Sequence, residues 1–337
     1  MAVYGGIDLH SNNSVLALID AEGTLLFHKR YPNELEAIKA GLAPFAQALE
    51  AVVVESTYNW YWLVDGLQDA GHAVRLCNPA KADRYDGLKY ADDFTDARWL
   101  AEMLRLGILP EGYIMPRDER ALRDLLRCRA HLVRQRTGLL ASTQNLMARQ
   151  TGRRLSTNAL RSRPRQEIEA LLPGSNAGRA AAANLAVIAG LDEQIGALED
   201  AVRAQAREQP ALHWLKTVAG VGEILALTIL LETGDIGRFA SPGRYASYCR
   251  CVKSERRSND KKKGQGHRRA GNRHLAWAFM EAAHFAVRYY QPVRRFYDRK
   301  RARSHKLIAI KAVAHKLARA SYYVMRDQVP FDIERAF

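Results

Sequence analysis

The sequence predicts an α/β domain at the N-terminus and helices for most of the remaining chain. Three observations carry this. Apolar and β-branched runs alternate with helix-like stretches over the first third, apolar pairs then recur every seven residues, and the last third reads as helices interrupted by a basic, glycine-containing block. The chain has 337 residues, enough for more than one domain of ordinary size. With 47% hydrophobic and 26% charged residues it can bury real cores, which excludes a wholly disordered chain.

Residues 3–8, 14–20 and 24–31 read as three strands, and the turn Asp20-Ala21-Glu22-Gly23 makes a hairpin of the second and third. A helix should cover 33–48, with Pro44 near its end. Ala51-Val52-Val53-Val54-Glu55 is a short β-branched run of the kind found in buried parallel strands. A helix from about Trp60 to Ala70 comes next. His72-Ala73-Val74-Arg75-Leu76-Cys77 is a fifth strand, closed by Asn78-Pro79. With a helix starting near 92, the order is β-β-β-α-β-α-β-α, which belongs to the ribonuclease H-like fold. We place this domain at 1–115.

The second region, 116–210, is helical. Leu125/Leu126, Leu132/Val133, Leu139/Leu140 and Leu146/Met147 recur at heptad spacing, and Ile188, Leu191, Ile195, Leu198 and Val202 do the same further on. Two coiled-coil-like helices should therefore pack on each other or on another chain, and the heptads leave that choice open. Between them, residues 149–165 carry Arg149, Arg153, Arg154, Arg161, Arg163 and Arg165 with no acid. This stretch is a candidate nucleic-acid contact.

The third region, 211–337, opens with Thr217-Val218-Ala219-Gly220-Val221-Gly222-Glu223 at the mouth of a helix. This reads as a helix-hairpin-helix element in which Gly220 and Gly222 admit a phosphate to the helix N-terminus; a plain tight turn is the alternative. Next in the chain is a basic block: Arg250, Lys253, Arg256, Arg257, Lys261, Lys262, Lys263, Arg268, Arg269 and Arg273 against only Glu255 and Asp260. Gly264, Gly266 and Gly271 should make it flexible. Asn272, at the start of a helix running to Tyr290, joins this candidate surface. A basic helix from about Arg294 to Met325 ends the chain.

Lys and Arg number 51 against 36 acids, a net charge of +15, which favours a polyanionic partner. No apolar run reaches the roughly 18–20 residues of a membrane span, and the N-terminus lacks a basic start and an apolar export core. The expectation is a cytoplasmic protein with no membrane partner. Cys77, Cys128, Cys249 and Cys251 form no CxxC pair; Cys249 and Cys251 fit one face of a strand better than a zinc site. Reduced thiols are expected.

Asp8 ends the first predicted strand and Glu55 the fourth, and in a ribonuclease H-like sheet these strands are neighbours. Asp93 and Asp96, spaced i,i+3, share one helix face, with Asp92 free to cap that helix. Four converging carboxylates repel unless cations neutralise them, and oxygen ligands select Mg²⁺, with Mn²⁺ able to substitute. Such ions promote phosphodiester chemistry. His10, two residues beyond Asp8, reads as a neighbour rather than a ligand. Ser254 and Ser258 lie in the basic block, where a serine is either a nucleophile or an ordinary loop former and phosphate contact.

The segments YGGIDLH (4–10), VVVEST (52–57) and DDFTDARWLA (92–101), together with LKTVAGVGEILALTILLETGDIGRF (215–239) and SERRSNDKKKGQGHRRAGNRHLAWAFMEAA (254–283), resemble the transposases of insertion-sequence family 110, subgroup 1111. The resemblance runs over nearly the whole chain with the motifs in order. It implies a RuvC-like domain with a DEDD metal set at Asp8, Glu55, Asp93 and Asp96. It implies a C-terminal transposase domain whose serine, Ser258 here, forms a covalent phosphoserine link to DNA. Asn259 comes after Ser258 where many relatives have glycine. The resemblance also implies donor and target DNA as substrates, a guide RNA (bridge or seek RNA) encoded by the element, a tetramer built from dimers, and a prokaryotic, nucleoid-associated setting. Two other readings remain: a metal-dependent, structure-specific nuclease of the Holliday-junction type, which has no use for Ser258, and a non-enzymatic architectural binder, which has no use for the four acids.

Overall fold

The computed structural model describes residues 1–79, 82, 92–172, 175–206, 209–253, 256–259, 261–264 and 270–337, with backbone only for 165, 175, 256, 257 and 262. The chain divides into two compact units, Met1–Met115 and Pro116–Phe337.

In the first unit the strands are β1 (Val3–Leu9), β2 (Asn13–Asp20), β3 (Leu25–Pro32), β4 (Leu49–Glu55), β5 (Val74–Cys77) and β6 (Glu111–Gly112). Their order across the sheet is β3-β2-β1-β4-β5-β6. β1, β2 and β3 are antiparallel neighbours, β1, β4 and β5 are parallel, and β6 returns antiparallel. This is the ribonuclease H-like arrangement expected of the element order. β6 adds a strand to that expectation, because two residues are too few to show a pattern in the sequence. The helices are α1 (Leu35–Leu42), α2 (Tyr61–Asp69) and α3 (Asp93–Arg105). α1 is shorter than the expected 33–48. Pro44, which has no N–H to donate, sits in a 3₁₀ turn over Ala43–Phe45 that ends the helical run.

Alternation along the strands sorts the two sheet faces. Ile7, Leu16, Leu18, Val52, Val54 and Leu76 form one core with Ile38 and Leu42 of α1 and Leu63, Val64 and Leu67 of α2. Val15, Ala17, Val53 and Cys77 face the other way, toward Ala97, Leu100 and Met103 of α3. Gly6 and Asp8 share that second face, opposite Ala17 and Val15.

Among the described residues, the second unit is helical apart from one antiparallel strand pair. α4 (Arg117–Thr151) and α7 (Ser175–Ala206) carry the two heptad stretches, and they pack along each other within this chain. The short helices α5 (Thr157–Ser162) and α6 (Arg165–Ala170) close one end, where Leu140, Met147, Leu160, Ile168, Leu172 and Ile188 form a small core. The other end, with Leu122, Leu126 and Val202, enters the main core. That core is built from α8 (Pro210–Leu215), α9 (Glu223–Thr233), α10 (Pro242–Tyr248), α11 (Arg273–Tyr289), α12 (Gln291–Arg301) and α13 (Lys306–Asp327), with α14 (Ile333–Ala336) at the end.

Three sequence readings are corrected here. The expected helix 294–325 is two helices, because His305 caps α13 by accepting a hydrogen bond from the Leu307 amide and so restarts the helix. Cys249 and Cys251 lie in the turn that ends α10, with Arg250 between them at φ +54, and not on a strand; both are buried. The glycine-containing basic block holds an antiparallel strand pair, β7 (Arg256–Ser258) and β8 (Lys261–Gly264).

Candidate active site

Asp8 lies near the end of β1, beside the end of β4. Ile7 pairs with Val54, which brings Glu55 next to Asp8. The two carboxyl groups are close enough that Glu55 raises the pKa of Asp8. α3 is brought over this sheet edge by Gly6: a β-carbon there would stand 2.0 Å from the Ala97 carbonyl oxygen and 2.7 Å from the Ala101 nitrogen. Only glycine lets the helix backbone come so close. Asp92 caps α3 by accepting from the Thr95 amide at 2.7 Å, as its sequence position suggests. Asp93 and Asp96 then fall in the first turn of α3.

His10 is a neighbour of Asp8, as its sequence position suggests, and it reaches Asp93 as well. Its Nε2 lies 3.1 Å from Asp8 Oδ2 and 3.3 Å from Asp93 Oδ1. Asp8 is only 4% exposed. Arg30, on β3, takes the other Asp93 oxygen at 2.6 Å. Arg30 does not stand out in the sequence, since nothing local marks a β3 side chain as facing a helix 63 residues away. Asp96 is half-buried one turn along from Asp93.

The electrostatics come from this crowding. Burial pushes the Asp8 carboxyl up to about 6, His10 opposes the rise, and the negative charges of Glu55 and Asp93 add to it. The Arg30 hydrogen bond holds Asp93 below its ordinary value. A buried carboxylate pressed by two others fits a divalent cation well. The Asp8 Oδ2 atom is buried and makes no hydrogen bond, so a donor atom is available to an ion. Asp8, His10 and Asp93 offer ligand atoms all within 4.8 Å of one another.

The model for the DEDD-type transposases of family IS110 matches residues 5–150, and the model described as "Transposase IS116/IS110/IS902 family" matches residues 212–298. Between them they cover more than half of the chain. The chain belongs to the IS110 transposase family. Among relatives, a Sinorhizobium fredii protein described as a putative transposase, y4qE, is 26% identical over 83% of this chain and 70% of its own length. The transposase for insertion sequence element IS1111A of Coxiella burnetii is 22% identical over 84% of this chain and 78% of its own. Among solved structures, T. thermophilus RuvC in complex with Holliday junction substrate matches at 15% identity over 33% of this chain and 100% of that chain, with a TM-score of 0.26.

In this transposase Ser258 is the last residue of β7, exposed, and pairs with Lys261 of β8. Asn259 has φ +50, a left-handed conformation that glycine adopts freely and asparagine better than most other residues. Lys261 and Lys263 are exposed beside it. Ser254, Arg268 and Arg269 lie outside the described residues, as do the side chains of Arg165, Arg256, Arg257 and Lys262.

The base of this segment is tied together. The Asn272 amide donates to the Tyr248 carbonyl at 2.6 Å, and the Arg250 guanidinium donates to the Gly271 carbonyl at 2.6 and 2.9 Å. Asn272 also caps α11, accepting from the His274 and Leu275 amides. Its side-chain amide donates to Glu232 at 2.7 Å, and Arg127 forms a two-pronged pair with Glu232 at 2.7 and 2.8 Å. Asn272 thus has a structural task. Glu232 is buried, which would raise its pKa, yet the Arg127 hydrogen bonds hold it below the ordinary value. Neither Arg127 nor Glu232 stands out in the sequence, because each looks like one more charge on a helix.

The remaining expected contacts divide. Arg153 and Arg163 are exposed, and Arg273 is exposed at the start of α11. Arg161 pairs with Asp192 at 3.1 Å, and Arg154 reaches Gln144 at 3.5 Å. Gly222 opens α9 with free space around it. Gly220, at φ +78, would place a β-carbon 2.1 Å from the Ala282 carbonyl oxygen, so its small size serves the packing of α11.

Proposed function

We propose that this transposase cuts and rejoins donor and target DNA, with Asp8, Glu55, Asp93 and Asp96 holding Mg²⁺ or Mn²⁺ and Ser258 acting as the nucleophile. The observation that carries the metal reading is the buried Asp8 carboxyl, crowded by Glu55 and Asp93 at one sheet edge. Bound divalent metal would activate the attacking oxygen and stabilise the leaving one. Ser258 gives up its proton as its Oγ bonds to phosphorus, and the phosphorus–oxygen bond to deoxyribose breaks, leaving a phosphoserine and a free DNA hydroxyl. A second hydroxyl then displaces the serine and restores the DNA. Lys261 and Lys263 beside Ser258 offset the phosphate charge.

The choice of sequence is assigned to a guide RNA that pairs with both DNAs. Support comes from the resemblance and from a charge of +15 with no zinc finger or basic zipper in the sequence. A tetramer, paired through dimers, belongs to the same reading.

The test uses purified protein, its copurifying RNA and both DNAs. Asp8→Asn, Glu55→Gln and Asp96→Asn should each abolish cleavage and retain nucleic-acid binding. Ser258→Ala should abolish the covalent protein–DNA adduct. Cleavage that survives the three acid variants removes the metal reading, and an adduct that survives Ser258→Ala removes the nucleophile. Cleavage of branched DNA without RNA or Ser258 would favour the junction-nuclease reading.

A further inference from the structure

We propose that His10 is itself a cation ligand, completing a nitrogen-containing site with Asp8 and Asp93 that favours Mn²⁺ over Mg²⁺. This rests on the reading of Asp8 as a metal ligand and adds to it a donor of a different chemical kind.

Three observations point to it. First, the distances suit a shared ion. Donors in adjacent positions around an ion bound at ~2.1 Å stand about 3 Å apart. His10 Nε2 lies 3.1 Å from Asp8 Oδ2 and 3.3 Å from Asp93 Oδ1. Second, both Asp8 Oδ2 and His10 Nε2 are buried atoms that make no hydrogen bond despite facing each other. Protonated His10 would form an ion pair at this distance, but its Nε2 carries at most one proton and faces an oxygen of Asp93 as well. A cation between them satisfies both.

Third, the fold holds the backbone of His10 in place. Its carbonyl oxygen accepts from Asn33 Nδ2 and from Asn59 Nδ2, each at 3.0 Å. Each asparagine is fixed in turn. Ser14 donates to the Asn33 side-chain oxygen at 2.7 Å, and Thr57 to that of Asn59 at 2.8 Å. Asn33 lies between β3 and α1, and Asn59 between β4 and α2. Two separate segments thus clamp one peptide group, which is the support a positioned ligand requires. Arg30 occupies only the Oδ2 atom of Asp93 and leaves Oδ1 facing His10.

The nitrogen donor decides the preference. Mg²⁺ takes oxygen ligands and keeps its waters, whereas first-row divalent ions accept imidazole readily.

The experiment is Mn²⁺ titration and pulsed electron paramagnetic resonance of the full-length protein, with Mg²⁺ affinity measured in parallel by calorimetry. Expected are Asp8-dependent Mn²⁺ binding and a ¹⁴N coupling of a coordinated imidazole that shifts on ¹⁵N-histidine labelling. His10→Ala and His10→Gln should remove that coupling and weaken Mn²⁺ about tenfold or more, with Mg²⁺ affinity changed far less. Circular dichroism checks that both variants fold, and Gln preserves most of the volume. Mn²⁺ binding that depends on Asp8 but shows no His10-dependent nitrogen coupling overturns the proposal while leaving the carboxylate site standing. Binding indifferent to Asp8→Asn overturns both.

Discussion

Gly6 of β1 lies so close to Ala97 of α3 that a β-carbon on Gly6 would meet the Ala97 carbonyl oxygen at 2.0 Å. The contact sets the height of α3 above the sheet. Asp8 is two residues along β1 from Gly6 on the same face, and Asp96 directly precedes Ala97. The closeness of sheet and helix is thus also what brings acids from both toward one edge.

Gly6→Ala should therefore lift α3. The expected cost is about 1–3 kcal/mol in urea unfolding, as for other overpacked cores, with loss of divalent-metal affinity beyond what the lower stability explains. Gly138→Ala is the control. It sits within α4 with free space around it, and should stabilise by about 0.5–1 kcal/mol.

The raised Asp8 value has a definite sign. Its carboxyl titrates at about 6 in the fold against 3.8 ordinarily. The fold prefers the protonated form, so metal-free stability falls as pH rises from about 4 to about 6 and is level above that. Asp8→Asn removes this dependence. In metal-free urea unfolding, Asp8→Asn should gain about 1–3 kcal/mol on the unmodified protein between pH 4 and pH 7. A constant difference across that range would contradict the assignment.

Metal binding should show the same group from the other side. Ions need the ionised carboxyl, so affinity should fall about tenfold per pH unit below about 6. Calorimetric titration with Mn²⁺ at pH 5, 6 and 7 reads this directly.

Arg127 and Glu232 tie α4 to α9, and Asn272 extends the link to α11. Arg127→Ala leaves Glu232 buried without its ion pair and should cost about 3–5 kcal/mol. Adding Glu232→Gln should recover part of that, since the charge is gone and the amide still accepts from Asn272. The depressed Glu232 value gives stability that is present above the ordinary carboxyl range and lost as pH falls through it. Arg127→Ala should flatten that acid limb in a pH series of melts.

Nucleic-acid binding should weaken steeply with salt. Lys261→Ala and Lys263→Ala, both at exposed positions on β8, should each reduce the slope of log affinity against log salt by about 0.9 for a duplex contact. An unchanged slope would take the strand pair out of the binding surface.

The sequence alone determined the five main strands, because apolar runs mark the buried ones, β1, β2 and the centre of β4, and turn residues mark the strand ends, including the hairpin to the largely exposed β3. It placed Asp8 and Glu55 at strand ends and Asp93 and Asp96 on one helix face, because periods of two and 3.6 residues are local properties. It read two long helices from their heptads but left their partner open, and the fold pairs α4 with α7. Only tertiary structure decided the rest. The nearness of His10 and Arg30 to Asp93, the pairing of Arg127 with Glu232, and the reasons for Gly6 and Gly220 each depend on backbones far apart in sequence. A histidine or glycine carries no local sign of what will be packed against it. That is settled only when the sheet and helices meet.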